Sequence, residues 1–143
     1  MVLVEKPLGA RLVQAGLLSD SDLQCALRYQ QETGLRLGSA VMELGYASEA
    51  AIVAELGRQL GVPGVALGEL DPESLDFSAI SVVESMESRI LPYRVFRKTC
   101  VVAMADPLNG LTIVRLQEKL ERRIKPVVSL ASTLERTLSA VAS

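Results

Sequence analysis

The chain has 143 residues, 49% of them hydrophobic and 22% charged, with 15 basic against 17 acidic side chains for a formal net charge of −2. This composition suits a globular protein with a full core and excludes a disordered one. The charge balance argues against a nucleic-acid binder, which usually carries a basic surplus, and leaves room only for a local basic patch.

The first 60 residues read as helices punctuated by glycine. Leu8, Leu12 and Val13 share one face of a short helix that Gly16 ends, where a positive φ costs glycine little. Ser19 reads as the N-cap of the next helix, with Asp22 as its capping-box partner. That helix carries Leu23, Ala26, Leu27 and Gln30 on one face, and Gly34 closes it. The plan then repeats: Leu37, Val41 and Met42, then Gly45, then Ser48 as N-cap, then Ile52, Leu56 and Gln59, with Gly61 closing the set. Segment 61–72 has the Gly/Pro density of a linker or subdomain junction.

Beyond it the pattern changes. A helix is predicted over about Ile80–Arg89, covering one face of a sheet. Tyr93–Arg97 and Cys100–Ala105 read as a β-hairpin turning near Lys98–Thr99. Asp106 and Pro107 look like the N-cap and first residue of a helix whose broad apolar face is Leu108, Leu111, Val114, Leu116 and Leu120. Ile124–Val128 reads as a strand, with Pro126 suggesting an edge or strand entry. A right-handed crossover should join the two parallel strands, and Ser132 opens a last helix through Leu134, Leu138 and Val141. The expected fold class is α+β: a helical subdomain of two duplicated hairpins over 1–61, then a small α/β subdomain with a short mixed sheet over 62–143.

Conventional catalytic equipment is missing. Histidine is absent, which removes the commonest general base and metal ligand. No GxxxxGK[ST] phosphate loop or GxSxG elbow occurs. Neither an enzyme nor a metal site is expected. Cys25 and Cys100 read as free thiols in a reducing compartment. No apolar run reaches the ~18 residues of a membrane span, and the opening "MVLVEKPLG" does not read as a signal peptide, so the expected location is cytoplasmic.

The duplication is the best functional clue. The copies span 7–30 and 36–59, with a five-residue spacer. Gly9 and Gly38 lie near a first helical turn, where free N–H groups favour an anion and no Cβ obstructs a ligand. Arg36 offers a fork of donors suited to a phosphate or a guanine edge. Gln30 and Gln59 both donate and accept, as purine edges require, and the aliphatics between them offer flat apolar ground. Two similar half-sites suit a two-fold symmetric ligand. Each feature also has a plainer reading: glycines for close helix packing, solvated arginine and glutamines, leucines as core.

The pattern RLGxx, two aliphatics, xxG, two aliphatics, then LxxxLxxQ, written twice with that spacer, resembles the MshEN domain, the N-terminal domain of type II secretion and type IV pilus assembly ATPases of the GspE/PilB family. The second copy supplies Arg36, Leu37, Gly38, Val41, Met42, Gly45, Tyr46, Ile52, Leu56 and Gln59. The first supplies Leu8, Gly9, Leu12, Val13, Gly16, Leu17, Leu18, Leu23, Leu27 and Gln30, and "VVAMADPLNG" is similar to the family's later strand and Asp-Pro start.

Some members bind cyclic di-GMP, a symmetric dinucleotide. The resemblance implies that Leu8, Gly9, Leu12, Leu23, Leu27 and Gln30, with Arg36, Leu37, Gly38, Val41, Ile52, Leu56 and Gln59, wrap this ligand, and that Asp106 meets a guanine. It implies no cofactor, and partners in a secretion or pilus ATPase motor or an inner-membrane assembly protein, with no nucleic acid and no direct membrane insertion. The chain departs from the motif at Pro7, which has no donor where arginine is expected, and at Tyr46 and Ala47, which replace two aliphatics. Lys6 and Arg11 carry charge nearby without occupying the motif position. The alternative is a docking module without nucleotide, with Ile124–Val128 as an edge able to receive a partner strand.

Overall fold

The computed structural model describes residues 7–143, so Lys6 lies outside the described residues. Helices α1 (Leu8–Gln14) and α2 (Asp20–Thr33) make the first hairpin, and α3 (Leu37–Glu43) and α4 (Glu49–Leu60) the second. The corners repeat bond for bond. After α1, Gly16 takes φ +79° and the Leu17 N–H donates to Leu12 O at 2.9 Å; after α3, Gly45 takes φ +76° and the Tyr46 N–H donates to Val41 O at 3.2 Å. Ser19 accepts from the Asp22 N–H at 3.0 Å and Ser48 from the Ala51 N–H at 3.2 Å. Asp22 reciprocates by accepting from the Ser19 N–H at 3.1 Å; Ala51 has no carboxylate with which to do so.

The two copies interlock through their glycines. A Cβ on Gly9 would stand 2.8 Å from Leu23 Cδ1 and 3.2 Å from Leu37 Cδ2, and one on Gly38 would stand 3.3 Å from Ile52 Cγ2 and 3.6 Å from Leu8 Cδ2. These are equivalent positions, 29 residues apart. Each glycine receives an aliphatic of its own copy and the leading leucine of the other, a pseudo-two-fold arrangement. Beneath them Leu12, Ala26, Val41 and Ile52 are fully buried, joined by Leu130 from the other half.

Segment 61–72 is a seated junction. A Cβ on Gly57 would fall 2.5 Å from Val62 O, and one on Gly64 would fall 2.4 Å from Val53 O, so α4 meets the next segment backbone to backbone. That segment then joins the last strand: the Val128 N–H donates to Pro63 O and the Val65 N–H to Val128 O, both at 2.8 Å.

The α/β half holds α5 (Val82–Ser88), β1 (Ile90–Val95), β2 (Thr99–Met104), α6 (Gly110–Leu120), β3 (Arg123–Val128) and α7 (Ala131–Ala142). The sheet order is β1-β2-β3, antiparallel then parallel, a mixed sheet as expected. Leu91, Ala103 and Val127 point to one face and pack with Leu134 and Leu138 of α7. Cys100, Val102, Met104 and Ile124 point to the other, where Leu116 of α6 and Ile80 cover them. Both cysteines are free, and burial pushes the Cys100 thiol up from its ordinary pKa.

Several expectations need correction. Helix α5 packs on α7 and β1, while α6 takes the sheet face expected of it. Asp106 and Pro107 do not start α6: Asp106 opens a turn in which the Asn109 N–H donates to Asp106 O at 3.1 Å, and Asn109 caps the helix by accepting from Thr112 N–H at 3.3 Å. The stripe on α6 is Ile113, Leu116 and Leu120. Leu108, Leu111 and Val114 are exposed at 67%, 70% and 50%, because Leu108 precedes the helix and Val114 lies two residues, about 200°, from Leu116.

The edge of β3 is closed to a partner strand. Its outward residues are Ile124, Pro126 and Val128. Val128 is bonded to Pro63 and Val65, Pro126 has no N–H, and the Ile124 N–H donates to Gln117 Oε1 at 3.1 Å. Pro92 does the same on β1, where its carbonyl accepts from the Asp76 N–H at 3.2 Å. A proline on each edge blunts the sheet.

Candidate functional site

The head of α3 carries Arg36 into the seam between the helical and α/β halves. There its guanidinium makes two parallel hydrogen bonds to Asp106, Nη1 to Oδ1 at 2.8 Å and Nη2 to Oδ2 at 2.9 Å. The pair joins residues 70 apart in sequence, yet its side chains stay 57% and 63% exposed. The bonded guanidinium holds the Asp106 carboxyl below its ordinary pKa, and the carboxylate raises that of Arg36. Asp106 is therefore an anion, and Arg36 a cation, at any physiological pH.

Two clefts share this pair. One, of about 240 Å³, is lined by Leu8, by Arg36, Leu37, Gly38 and Ser39 at the head of α3, by Leu56 and Leu60 of α4, and by Ala105, Asp106 and Ser129–Ala131. Its walls are largely aliphatic, with Ser39, Ser129 and the ion pair as polar elements. The other, of about 210 Å³, shares Arg36, Ala105, Asp106 and Ala131 and runs on past Asn109 and Thr112 to Arg89 and Glu135, themselves paired at 2.7 Å. The seam is held by packing: a Cβ on Gly38 would lie 3.0 Å from Leu130 Cδ2, and Ser39 Oγ accepts from the Ser132 N–H at 3.3 Å in the first turn of α7. Helix α7 has no side-chain cap of its own at Leu130, so Ser39 of the helical half supplies one.

The structure thus brings together Leu8, Arg36, Leu37, Gly38, Leu56 and Asp106. The other candidates lie elsewhere. Leu12, Val41 and Ile52 have no exposed surface and support the site from beneath without reaching a ligand. Gly9 is buried under Leu23 and Leu37, so its missing Cβ serves packing. Leu23 is occupied with that same contact. Leu27 lies with Gln24, Arg28 and Gln31 in a separate shallow depression on α2. Gln30 and Gln59 are half-buried and outside both clefts. Arg11 faces Gln14, Ala15 and Glu55, so it does not replace the arginine missing at Pro7. Tyr46 sits beside Cys25 of α2, whose hydrogen bond raises the phenol's pKa, and packs at the margin of the helical core.

Sequence reasoning missed Leu60, Ser39 and the Ser129–Ala131 corner. Leu60 had a signal, one helical turn beyond Leu56. The corner lies outside the repeats and had none.

The MshEN domain family model matches residues 60–143, a span that begins just after the second repeat. Relatives extend the likeness across the repeats. The type IV pilus assembly ATPase PilB of Myxococcus xanthus is 28% identical over 133 residues, which is 90% of this chain and 24% of that protein. PilB of Thermus thermophilus is 27% identical over 124 residues, 85% of this chain and 14% of that protein. The chain therefore spans a quarter or less of the length of these relatives. Bacteriophage adsorption protein B of Escherichia coli is 25% identical over 87% of this chain and 17% of its own. Among solved structures, that of MshE with cdg superposes with a TM-score of 0.62 at 28% identity, covering 94% of this chain and 98% of that one. The N-terminal domain of XpsE shares the fold, with a TM-score of 0.55 at 20% identity over 96% and 97% of the two chains.

Proposed function

The chain belongs to the MshEN domain family, and from that premise we propose that it is a non-catalytic, cytoplasmic sensor of cyclic di-GMP that reports occupancy to a secretion or pilus assembly ATPase. The observation that carries this reading is the exposed Arg36–Asp106 pair, set beside an aliphatic cleft built from both repeats. A carboxylate with two acceptor oxygens, once released by Arg36, matches the N1–H and N2–H₂ donors of guanine. A guanidinium matches a phosphate oxygen pair. Leu8, Leu37 and Leu56 offer apolar ground for a base. The solved structure of MshE with cdg, 28% identical over most of the chain, supports the same ligand.

The geometry suggests how binding proceeds. Arg36 presents to Asp106 two parallel N–H donors, the same pattern that a guanine edge presents. Cyclic di-GMP then replaces one partner of each group: guanine takes the carboxylate and phosphate takes the guanidinium. Because Arg36 belongs to the helical half and Asp106 to the α/β half, this exchange acts on the seam between them. The ligand shifts the arrangement of the halves only by its differential affinity for the arrangements.

Calorimetric titration of the chain with cyclic di-GMP tests the proposal. Saturable heat is expected, weakened about tenfold or more in Asp106→Asn, since one charge-assisted contact contributes roughly 1.5–3 kcal/mol. No heat at high micromolar ligand would leave the alternative, docking to an inner-membrane assembly protein. That reading draws on the exposed apolar residues Leu108, Leu111 and Val114, and no longer on the β3 edge.

A further inference from the structure

The end of the sheet opposite the clefts carries a separate feature. Strand β2 runs from Thr99 to Met104, so the hairpin tip lies roughly 20 Å from Asp106 at the ordinary rise per strand residue. The tip is Phe96–Thr99, closed by the Phe96 N–H donating to Thr99 O at 2.7 Å. Strand β3 enters alongside it. The Arg123 N–H donates to Lys98 O at 2.9 Å, and Arg122 Nε donates to Phe96 O at 3.2 Å. These bonds gather Arg97, Lys98, Arg122, Arg123 and Lys125 around one hairpin end.

Five of the chain's 15 basic residues thus cluster at one tip of a protein whose net charge is −2. Among the described residues none of the five is in an ion pair, whereas Arg36, Arg58, Arg89 and Lys119 each have a carboxylate partner. Glu121 is the acidic residue adjoining them in sequence, and it is exposed. At the apex Phe96 is 58% exposed. An aromatic ring left in water and flanked by unpaired cations gains nothing in the isolated chain. It matches a surface that is anionic and has an apolar layer just below.

We infer that the Phe96–Lys98 tip, with Arg122, Arg123 and Lys125 behind it, is a contact surface for an anionic phospholipid membrane. The cations lie against the lipid phosphates and Phe96 enters the headgroup boundary. This is peripheral attachment with no segment crossing, and it leaves the clefts at the other end of the sheet open. An acidic protein segment is the competing partner. The single projecting ring favours the bilayer, because it has an apolar layer to enter.

Co-sedimentation of the chain with vesicles of phosphatidylcholine, with and without phosphatidylglycerol, tests this. Binding is expected only to the anionic vesicles, and it should fall steeply with added salt. Each cation near such a surface changes partitioning roughly fivefold, so Arg97→Glu with Lys98→Glu should reduce it at least tenfold. Phe96→Ser should reduce it severalfold with charge unchanged. The charge-matched control, Arg28→Glu with Arg58→Glu on α2 and α4, should retain nearly full binding. Failure of the wild-type chain to sediment with anionic vesicles at low salt overturns the inference. So does a control that loses as much as the tip variant, or a poly-glutamate peptide that binds the tip under conditions where vesicles do not.

Discussion

The two repeats share a backbone and differ in what covers them. On α2, Gln24, Arg28 and Gln31 are exposed. Their equivalents on α4 are Val53, Gly57 and Leu60: Val53 is 3% exposed, Gly57 meets the backbone of Val62, and Leu60 lines a cleft. The head residues differ in the same way. Pro7 is exposed and its side chain offers no hydrogen-bond donor, whereas Arg36 holds Asp106 across the seam. Gly38 touches Leu130 in addition to the contacts it shares with Gly9. Duplication explains the helical scaffold, and the asymmetric docking of the α/β half onto one copy explains where the candidate clefts lie.

The largest effect that sharpens this contrast is on stability. Gly57→Ala forces a Cβ toward a carbonyl oxygen at 2.5 Å and should destabilise the chain by about 3 kcal/mol, the upper range for overpacking. The same change at its twin, Arg28→Ala, should stay within about 0.5 kcal/mol. Urea unfolding of both variants measures the difference, and equal effects would mean that α4 is not clamped as described.

Next come the head residues. Arg36→Ala should weaken cyclic di-GMP binding roughly ten- to hundredfold while changing stability by less than about 1 kcal/mol, because its ion pair is exposed. Pro7→Arg restores the motif in the first copy and should tighten binding about tenfold. An unchanged affinity in calorimetry would place the head of the first copy off the ligand.

These contrasts also show what the sequence made legible. The caps at Ser19 and Ser48, the turns at Gly16 and Gly45 and the pairing of the copies were readable, because each depends on a residue type at a fixed local offset. The start of α6 was not: it opens at Gly110 with Asn109 as its cap. The ends of α5 and α6 fall close to where the sequence placed them, although Arg89 and Glu121 take φ +54° and +53° there without glycine. Asp106 before Pro107 has the form of an N-cap, but its carboxylate is committed to an arginine 70 residues away. The apolar stripe of α6 was overextended because i, i+3, i+6 spacing drifts off a 3.6-residue period. The motif pointed to Arg36–Gly38, and these residues do line the cleft. It could not distinguish leucines that line the cleft from those, such as Leu12, that lie beneath it, since both obey the same helical spacing.

The smallest effect concerns pH. Asp106 has a folded-state pKa below its unfolded value. Its tie to Arg36 therefore contributes stability that is complete above the usual carboxylate pKa of about 3.9, and that is lost as the pH falls through the lower, folded value. The melting temperatures of the wild type and Asp106→Asn, compared from about pH 6 down to about pH 2, should differ slightly at the upper end and converge in acid. Divergence in acid would contradict the assigned sign.

The asymmetry itself is most directly read by a two-dimensional amide NMR titration of the chain with cyclic di-GMP. The expected shifts cluster at Arg36–Ser39, Ala105–Asp106 and Ser129–Ala131, with Gln24–Gln31 of the first copy undisturbed. Shifts confined to the first copy, or spread evenly over both repeats with Ala105–Asp106 silent, would contradict a site made where the second copy meets the α/β half.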